Sequence, residues 1–272
     1  MSDLDCSLPI GVFDSGIGGL TVLKALAEAL PRESFIYLGD TARLPYGTKS
    51  PKSVTRYALQ TTALLRARGV KLLVIACNTA SAVSLPALQD AYPELPVIGV
   101  IRPGAEAASQ ASRNGRIGVI ATESTVQGGV YEQEILRVRP EARVFSRPCP
   151  LFVPMAEEGW CEGEIPELVA RRYLGTMVEQ TGIDTLVLGC THFPVLSGAI
   201  QTVVGPEVRL VDSARTTARY VQAMLERRDI CATTIERSFT FLATDGAKRF
   251  ARVGGVFMHH PLTPADVEIV DL

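Results

Sequence analysis

The chain has 272 residues, of which 47% are apolar and 21% charged, as is typical of a globular protein with one large domain or two smaller ones. Its 27 basic and 29 acidic side chains nearly cancel, which argues against a nucleic-acid-binding surface and against an acidic disordered tail. The apolar runs are much shorter than a membrane span, and the acidic N-terminus lacks the basic start of a signal peptide. We therefore expect a cytoplasmic protein with neither a nucleic acid nor a membrane as its partner.

Short apolar runs alternate with helical patterns along the whole chain. Strands are predicted at residues 9–13, 34–38, 71–76, 96–101, 116–120, 142–145, 184–188, 208–211 and 239–242. Helices are predicted at residues 20–30, 52–68, 80–91, 105–112, 128–138, 165–180, 195–203 and 214–227. Pro86 is expected to shorten or kink the helix at 80–91. This alternation predicts an α/β protein with mainly parallel sheets, whose ligands bind at the carboxyl ends of the strands.

Two strand-and-turn patterns each occur twice, in the same order and at nearly the same spacing. Residues 10–16 resemble residues 117–123, and residues 73–79 resemble residues 186–192. The repetition predicts two similar doubly wound α/β domains related by a pseudo-twofold axis, with the active site in the cleft between them. The first domain would comprise residues 1–101 and 212–272 and the second residues 102–211, with the crossover near residues 102–104.

The six cysteines are dispersed and form no CxxC pair, and the chain has only three histidines. We therefore expect free thiols rather than a disulfide scaffold, and no metal site. Two of them, Cys77 and Cys190, occupy matched positions at which a strand ends and a helix begins. The partial positive charge of a helix N-terminus lowers the pKa of a thiol from about 8.5, so the matched pair indicates chemistry rather than core packing.

Two thiols that face each other across a pseudo-twofold axis suit stereoinversion at carbon. One side chain removes a proton from one face of the substrate, and the other returns a proton to the opposite face. A redox dithiol is the alternative, and it requires the two sulfurs to come into bonding contact. The residue pattern alone leaves both hypotheses open.

A glycine-rich turn, residues 14–19, follows the first predicted strand. Its sequence matches neither the dinucleotide-binding fingerprint nor a P-loop. It is either a turn whose glycines accept a positive φ or a site at which Asp14 and backbone N–H groups hold a charged ligand. None of the five lysines ends a predicted strand, which disfavours a pyridoxal-phosphate enzyme.

Four motifs occur in order along the chain: Phe13-Asp14-Ser15-Gly16-Ile17-Gly18-Gly19-Leu20-Thr21-Val22, Gly39-Asp40-Thr41-Ala42-Arg43 with Pro45-Tyr46-Gly47, Ala76-Cys77-Asn78-Thr79-Ala80-Ser81, and Gly189-Cys190-Thr191-His192. Together they closely resemble the glutamate racemase family, within the aspartate/glutamate racemase superfamily. The resemblance covers nearly the whole chain and is weakest after about residue 229.

This resemblance implies a cofactor-independent racemase that uses two bases. Cys77 would act on the D-enantiomer and Cys190 on the L-enantiomer. The family positions that match Asp14 and His192 assist the two thiols. Glu157 matches an auxiliary acid of the family, and Glu158 would match it if the alignment were shifted by one residue. The residues that match substrate-binding positions of the family are Asp14, Ser15, Tyr46, Gly47, Asn78, Thr79, Thr122, Thr125, Thr191 and His192.

The resemblance thus predicts an isomerase that converts L-glutamate to D-glutamate for peptidoglycan synthesis, without a metal or another cofactor. Glutamate would be its small-molecule partner, and a homodimer is a further expectation. Two alternatives remain. One is a racemase of another acidic amino acid, such as aspartate, and the other is a dithiol redox protein or a thiol-dependent binding protein.

Overall fold

The computed structural model describes residues 5–233 and 237–272. Its strands are β1 (Ile10–Asp14), β2 (Phe35–Gly39), β3 (Leu72–Ile75), β4 (Val97–Gly99), β5 (Arg116–Ala121), β6 (Arg143–Pro148), β7 (Thr185–Gly189), β8 (Arg209–Asp212), β9 (Phe239–Ala243) and β10 (Val267–Ile269). Its α-helices are α1 (Leu20–Ala29), α2 (Pro51–Ala67), α3 (Asn78–Ala91), α4 (Ile101–Ala111), α5 (Glu123–Gly128), α6 (Val130–Val138), α7 (Phe152–Glu157), α8 (Glu164–Thr181), α9 (Ser197–Val204), α10 (Ser213–Arg228) and α11 (Ala247–Met258). Short 3-10 helices lie at Tyr46–Thr48, Phe193–Leu196 and Pro264–Asp266.

Among the described residues the strands form two sheets, and all their neighbouring pairs are parallel. The first sheet has the order β10-β9-β2-β1-β3-β4, and the second has the order β6-β5-β7-β8. The segment β2-β1-β3-β4 therefore has the same arrangement as the whole second sheet. In each sheet the direction of winding reverses beside the first strand, β1 or β5, and such a reversal opens a crevice at the carboxyl ends of the strands.

The central strands are buried because helices cover both faces of each sheet. Every residue of β1, β2, β3 and β7 is buried. Neighbouring side chains along a strand point to opposite faces, so Val12 and Phe13 belong to two different hydrophobic clusters. The cluster that contains Val12 also contains Leu188 of β7. The two sheets therefore share part of one core, in which α1 packs against α10.

The predicted α/β class with two similar doubly wound units is confirmed. All nine predicted strands are present, each within a few residues of its predicted limits. Strands β1–β4, β9 and β10 form the first sheet and β5–β8 the second, while the domain limits at residues 101 and 211 stay a prediction. No described helix has both the length and the apolar composition that crossing a bilayer requires.

Several predicted helices differ from those observed. The helix predicted at 128–138 corresponds to α6, which begins at Val130 because Gly129, with a φ of 64°, separates it from α5. The segment 102–104, predicted as the crossover between the two units, lies in the first turn of α4, where Pro103 is tolerated because first-turn N–H groups have no helical partner. Pro86 does not shorten α3, which runs for 14 residues. Helices α5, α7 and α11 and strand β10 were not predicted.

Candidate active site

The predicted site residues lie at the carboxyl ends of the central strands of both sheets. Asp14 is the last residue of β1, and Cys77 follows β3 by two residues. In the second sheet Thr122 directly follows β5, and Cys190 directly follows β7. These are the points at which the winding reverses, so each sheet places one thiol where a ligand-binding crevice is expected.

Side chains from the two carboxyl edges contact each other. The Thr79 hydroxyl, at the start of α3, lies 3.0 Å from Thr122 Oγ1 and 3.1 Å from Thr125 Oγ1. Tyr131 on α6 donates a 2.7 Å hydrogen bond to Asn78 Oδ1. The two edges therefore face one another, and four of the predicted substrate-binding residues meet in one polar cluster.

The glycine-rich turn after β1 also lies very close to residues of the second sheet. A Cβ on Gly18 would overlap the imidazole of His192, and a Cβ on Gly19 would lie 2.5 Å from Asp14 Cβ. The Thr21 hydroxyl of α1 donates a 2.8 Å hydrogen bond to the Thr191 carbonyl. The glycines of this turn do not adopt a positive φ, so that expectation is wrong. Gly18 leaves room for His192 and Thr191 of the second sheet, and Gly19 leaves room for Asp14 of the first.

Cys77 is nearly buried and is the N-cap of α3. Its Sγ accepts a 3.4 Å hydrogen bond from Ala80 N–H, and the Ser15 hydroxyl also bonds to it. Burial and the charge of Asp14 outweigh these bonds and raise the pKa of the Cys77 thiol to about 12. The predicted lowering by the helix N-terminus is therefore wrong for Cys77, because lost hydration and a nearby carboxylate act more strongly than the helix dipole. Near neutral pH Cys77 is a protonated thiol.

Two buried polar atoms beside Cys77 lack hydrogen-bond partners among the described residues. They are Oδ1 of Asp14, which is fully buried, and Nδ2 of Asn78. Asp14 Oδ2 accepts a 3.1 Å hydrogen bond from Gly16 N–H. Burial raises the pKa of Asp14, against the opposing charge of His192. Unpartnered buried groups are costly, and a ligand that carries both an ammonium and a carboxylate would satisfy these two.

Cys190 has a different set of neighbours. Its Sγ lies 3.8 Å from Nδ1 of His192, and Nε2 of His192 lies 3.0 Å from Oε1 of Glu157. Arg249 Nη2 donates a 2.5 Å hydrogen bond to Oε2 of the same carboxylate. Burial acts to lower the pKa of His192, but the bonds to Cys190 and Glu157 outweigh it and raise that pKa to about 10. A protonated imidazole therefore lies next to the sulfur of Cys190.

Glu157 lies at the end of α7, and only a tenth of its side chain is exposed. Burial acts to raise its pKa, but the His192 and Arg249 hydrogen bonds and charges hold that pKa below its usual value. The contact to His192 is made by Glu157, and none is recorded for Glu158 among the described residues.

The two residues of the predicted segment Tyr46-Gly47 contact different sheets. The Tyr46 hydroxyl donates a 2.5 Å hydrogen bond to Oδ2 of Asp40, which also forms a 3.2 Å ion pair with Arg43. The Tyr46 side chain thus has its polar partner within the first sheet. A Cβ on Gly47 would lie 2.9 Å from Thr122 Cβ, so Gly47 is the residue of this segment that approaches the second sheet.

Three residues at the site were not predicted: Thr21, Tyr131 and Arg249. Tyr131 and Thr21 lie within predicted helices, and nothing in the local pattern indicates that their hydroxyls reach the opposite sheet. Arg249 is exposed and lies on α11, which was not predicted at all. Cys77, Cys149, Cys161, Cys190 and Cys231 are free thiols, and no metal-ligating cluster of three or more side chains occurs in residues 5–233 and 237–272.

Comparison with known proteins agrees with this geometry. The family model described as Asp/Glu/Hydantoin racemase matches residues 10–221. A glutamate racemase of Geobacter metallireducens is 52% identical over 250 residues, which cover 92% of each chain. The crystal structure of glutamate racemase from Francisella tularensis in complex with D-glutamate superposes with a TM-score of 0.90 at 38% identity, covering 98% of each chain. The family-model match and the full-length identity establish that the chain belongs to the Asp/Glu/hydantoin racemase family.

Proposed function

We propose that this protein is an isomerase that interconverts L- and D-glutamate by a two-thiol mechanism, with no cofactor. The observation that carries the proposal is the pair Cys77 and Cys190, which end equivalent strands of two sheets whose carboxyl edges face each other. The relatives named above are glutamate racemases, and one was crystallised with D-glutamate. Glutamate is therefore the substrate we assign.

In the direction from L- to D-glutamate, the Cys190 thiolate removes the α-proton and becomes a thiol. The Cys77 thiol then gives its own proton to the opposite face of the carbanion-like intermediate and becomes a thiolate. The reverse direction exchanges these roles. The raised pKa of Cys77 suits its task as the acid, and the protonated His192 lies beside the Cys190 sulfur.

The α-proton of an amino acid is a very weak acid, so the site has to stabilise negative charge on the substrate. A million-fold acceleration requires about 8 kcal/mol of transition-state stabilisation. The unpartnered amide of Asn78, the Thr79 hydroxyl and the N-terminus of α3 would bind the α-carboxylate, where that charge develops. The free Oδ1 of Asp14 would accept a hydrogen bond from the α-ammonium group.

The remaining predicted substrate contacts belong to the same proposal. The hydroxyls of Thr122, Thr125 and Ser15 and the Gly47 backbone would contact the substrate near Cys77. Thr191 and His192 would contact it near Cys190. The Tyr46 hydroxyl is bound to Asp40, so its segment would contact substrate through the backbone.

Hydrogen exchange in deuterated water tests the two-thiol mechanism. Both Cys77→Ala and Cys190→Ala should lose net inversion, because each direction needs a base on one face and an acid on the other. Cys77→Ala should still exchange deuterium into L-glutamate only, and Cys190→Ala into D-glutamate only. Cys161→Ala, at a partly buried thiol outside the site, should retain wild-type activity. A Cys77→Ala protein that racemises at the wild-type rate would refute the mechanism.

Two further measurements address the alternatives. If the side-chain carboxylate is bound specifically, aspartate, which is one methylene shorter, should show a kcat/KM roughly 10–200-fold below that of glutamate. Equal values would favour a broader acidic amino-acid racemase. Full activity with the thiols kept reduced and no electron donor present is expected of a racemase and not of a dithiol redox protein.

The cellular setting extends the proposal. D-glutamate supply for peptidoglycan synthesis and a cytoplasmic location follow from the family's role. A homodimer remains a prediction, which sedimentation of the purified protein would test directly.

A further inference from the structure

Helix α11 contributes two side chains to the surroundings of His192. The helix follows β9 of the first sheet, whereas His192 and Glu157 belong to the second. Arg249 Nη2 donates to Glu157 Oε2 at 2.5 Å. Eight residues further along the helix, the ring of Phe257 meets the His192 ring edge-on, with centroids 5.5 Å apart and an interplanar angle of 86°. Helix α11, which follows a strand of the first sheet, therefore contacts both His192 and its carboxylate partner Glu157, which follow strands of the second sheet.

The contacts on Glu157 fix its carboxylate at both oxygens. Oε1 lies 3.0 Å from His192 Nε2, and Oε2 is bound to Arg249. A carboxylate held at both ends cannot rotate freely, so the imidazole that it binds keeps its orientation and its proton. The other nitrogen of that imidazole faces Cys190 Sγ at 3.8 Å. Through Glu157, Arg249 therefore influences the position of the His192 imidazole relative to the Cys190 sulfur.

We propose that Arg249 is a positioning residue for the proton transfer at Cys190, acting through Glu157 and His192. The proposal rests on the racemase function proposed above. Arg249 does not reach the reacting atoms, and no recorded contact links it to Cys77 or Asp14. Its effect should therefore fall on one of the two proton transfers rather than on both.

Stability is not the expected role of this ion pair. Half of the Arg249 side chain is exposed, and exposed pairs contribute little to folding. The Glu157 side chain is nine-tenths buried and is shared with His192, so loss of Arg249 leaves it free to rotate. Small errors in the position of a catalytic group lower rates strongly even when the fold is intact.

The test compares Arg249→Gln with Arg252→Gln, which changes an exposed arginine one turn away on the same helix with no recorded ion pair. Arg249→Gln should lower kcat/KM by ~10–100-fold. The loss must be equal in both directions, because the two enantiomers have the same free energy. Arg249→Lys should recover part of the activity, since it restores the charge without the planar fork. Arg252→Gln should behave as wild type.

Primary isotope effects distinguish positioning from a general structural loss. In Arg249→Gln the effect with α-deuterated substrate should rise for the enantiomer that Cys190 deprotonates and fall for the other. The exchange experiment with the cysteine variants independently identifies which enantiomer that is. Wild-type activity in Arg249→Gln, or a loss that leaves both isotope effects unchanged, would overturn the proposal. Absence of racemisation in the wild-type protein would instead refute the proposed function.

Discussion

The two thiols occupy equivalent places in two similar sheets, yet their surroundings differ. Cys77 is the N-cap of a 14-residue helix and lies near a carboxylate, Asp14. Cys190 is followed by a short 3-10 helix and lies beside an imidazole, His192. We refer to these surroundings as the Cys77 side and the Cys190 side. Repetition of the fold thus determined where the sulfurs lie, and the neighbouring residues determined what each can do.

The difference means that the two sides are not interchangeable in the resting protein. On the Cys77 side the carboxyl group of Asp14 raises the pKa of Cys77, and on the Cys190 side the imidazole of His192 has a raised pKa and is protonated. A carboxylate disfavours a thiolate, and an imidazolium favours one. Before substrate binds, Cys77 is therefore suited to donate a proton. A reaction that must run in both directions starts from an asymmetric site.

The largest effects are expected from removing the charged partner of each thiol. Asp14→Asn and His192→Gln should each lower kcat/KM by ~10²–10⁴-fold, the range of acid–base assistance. They should differ in the titration of Cys77, measured as the pH dependence of its alkylation. Asp14→Asn should lower the Cys77 pKa from about 12, whereas His192→Gln should leave it unchanged. If the pH dependence of Cys77 alkylation is unchanged in Asp14→Asn, the Asp14 carboxylate does not contribute to the raised pKa of Cys77.

Substitution of single glycines should disturb one side at a time. Gly18→Ala places a methyl group in the His192 imidazole and should lower kcat by ~100-fold through displacement of that ring. Gly16→Ala is the matched control, because its Cβ would meet only the Leu44 side chain, at 3.4 Å or more. Steady-state kinetics and a thermal unfolding midpoint for each variant check this. Similar losses for the two variants would show that the turn itself, and not the approach to His192, is what matters.

The free energy of unfolding should depend on pH through the Cys190 side. The pKa of His192 is raised from an unfolded value near 6.5 to about 10 in the folded protein. Its contribution is therefore fully present below about pH 6.5 and is lost as the pH rises through 10. Urea denaturation should show wild type losing on the order of 5 kcal/mol across this range relative to His192→Gln. A constant difference between the two proteins would contradict the raised pKa.

The smallest effects are expected from removing single hydroxyl groups that form hydrogen bonds between the two halves of the site. Tyr131→Phe removes the hydrogen bond to Asn78 on the Cys77 side, and Thr21→Val removes the one to the Thr191 carbonyl on the Cys190 side. A single hydrogen bond contributes ~0.5–1.5 kcal/mol, so each variant should lose about 2–10-fold in kcat/KM. Racemisation rates at saturating and low substrate measure this. A loss above a hundredfold in either variant would show a direct role in the reaction.

Local patterns predicted much of this protein. Buried parallel strands are runs of consecutive apolar residues, so the strands were located within a few residues, and the repeated strand ends indicated both thiols. Helix α7 has only six residues and strand β10 only three, too few to show a period. Glu157 was therefore predicted from the family resemblance rather than from its helix, and Arg249, which binds it, was missed.

The sequence by itself determined the α/β class, the matched strand ends and the two cysteines, because side-chain periodicity and turn residues act over a few neighbouring positions. Only the tertiary structure decided the properties of those cysteines. Local reasoning predicted that a helix N-terminus would lower the pKa of Cys77, whereas burial and Asp14, 63 positions away in the chain, raise it. The brace on His192 likewise comes from Glu157 and Arg249, which are distant in sequence. Charge interactions and desolvation depend on distance and burial in space, which spacing along a chain does not encode.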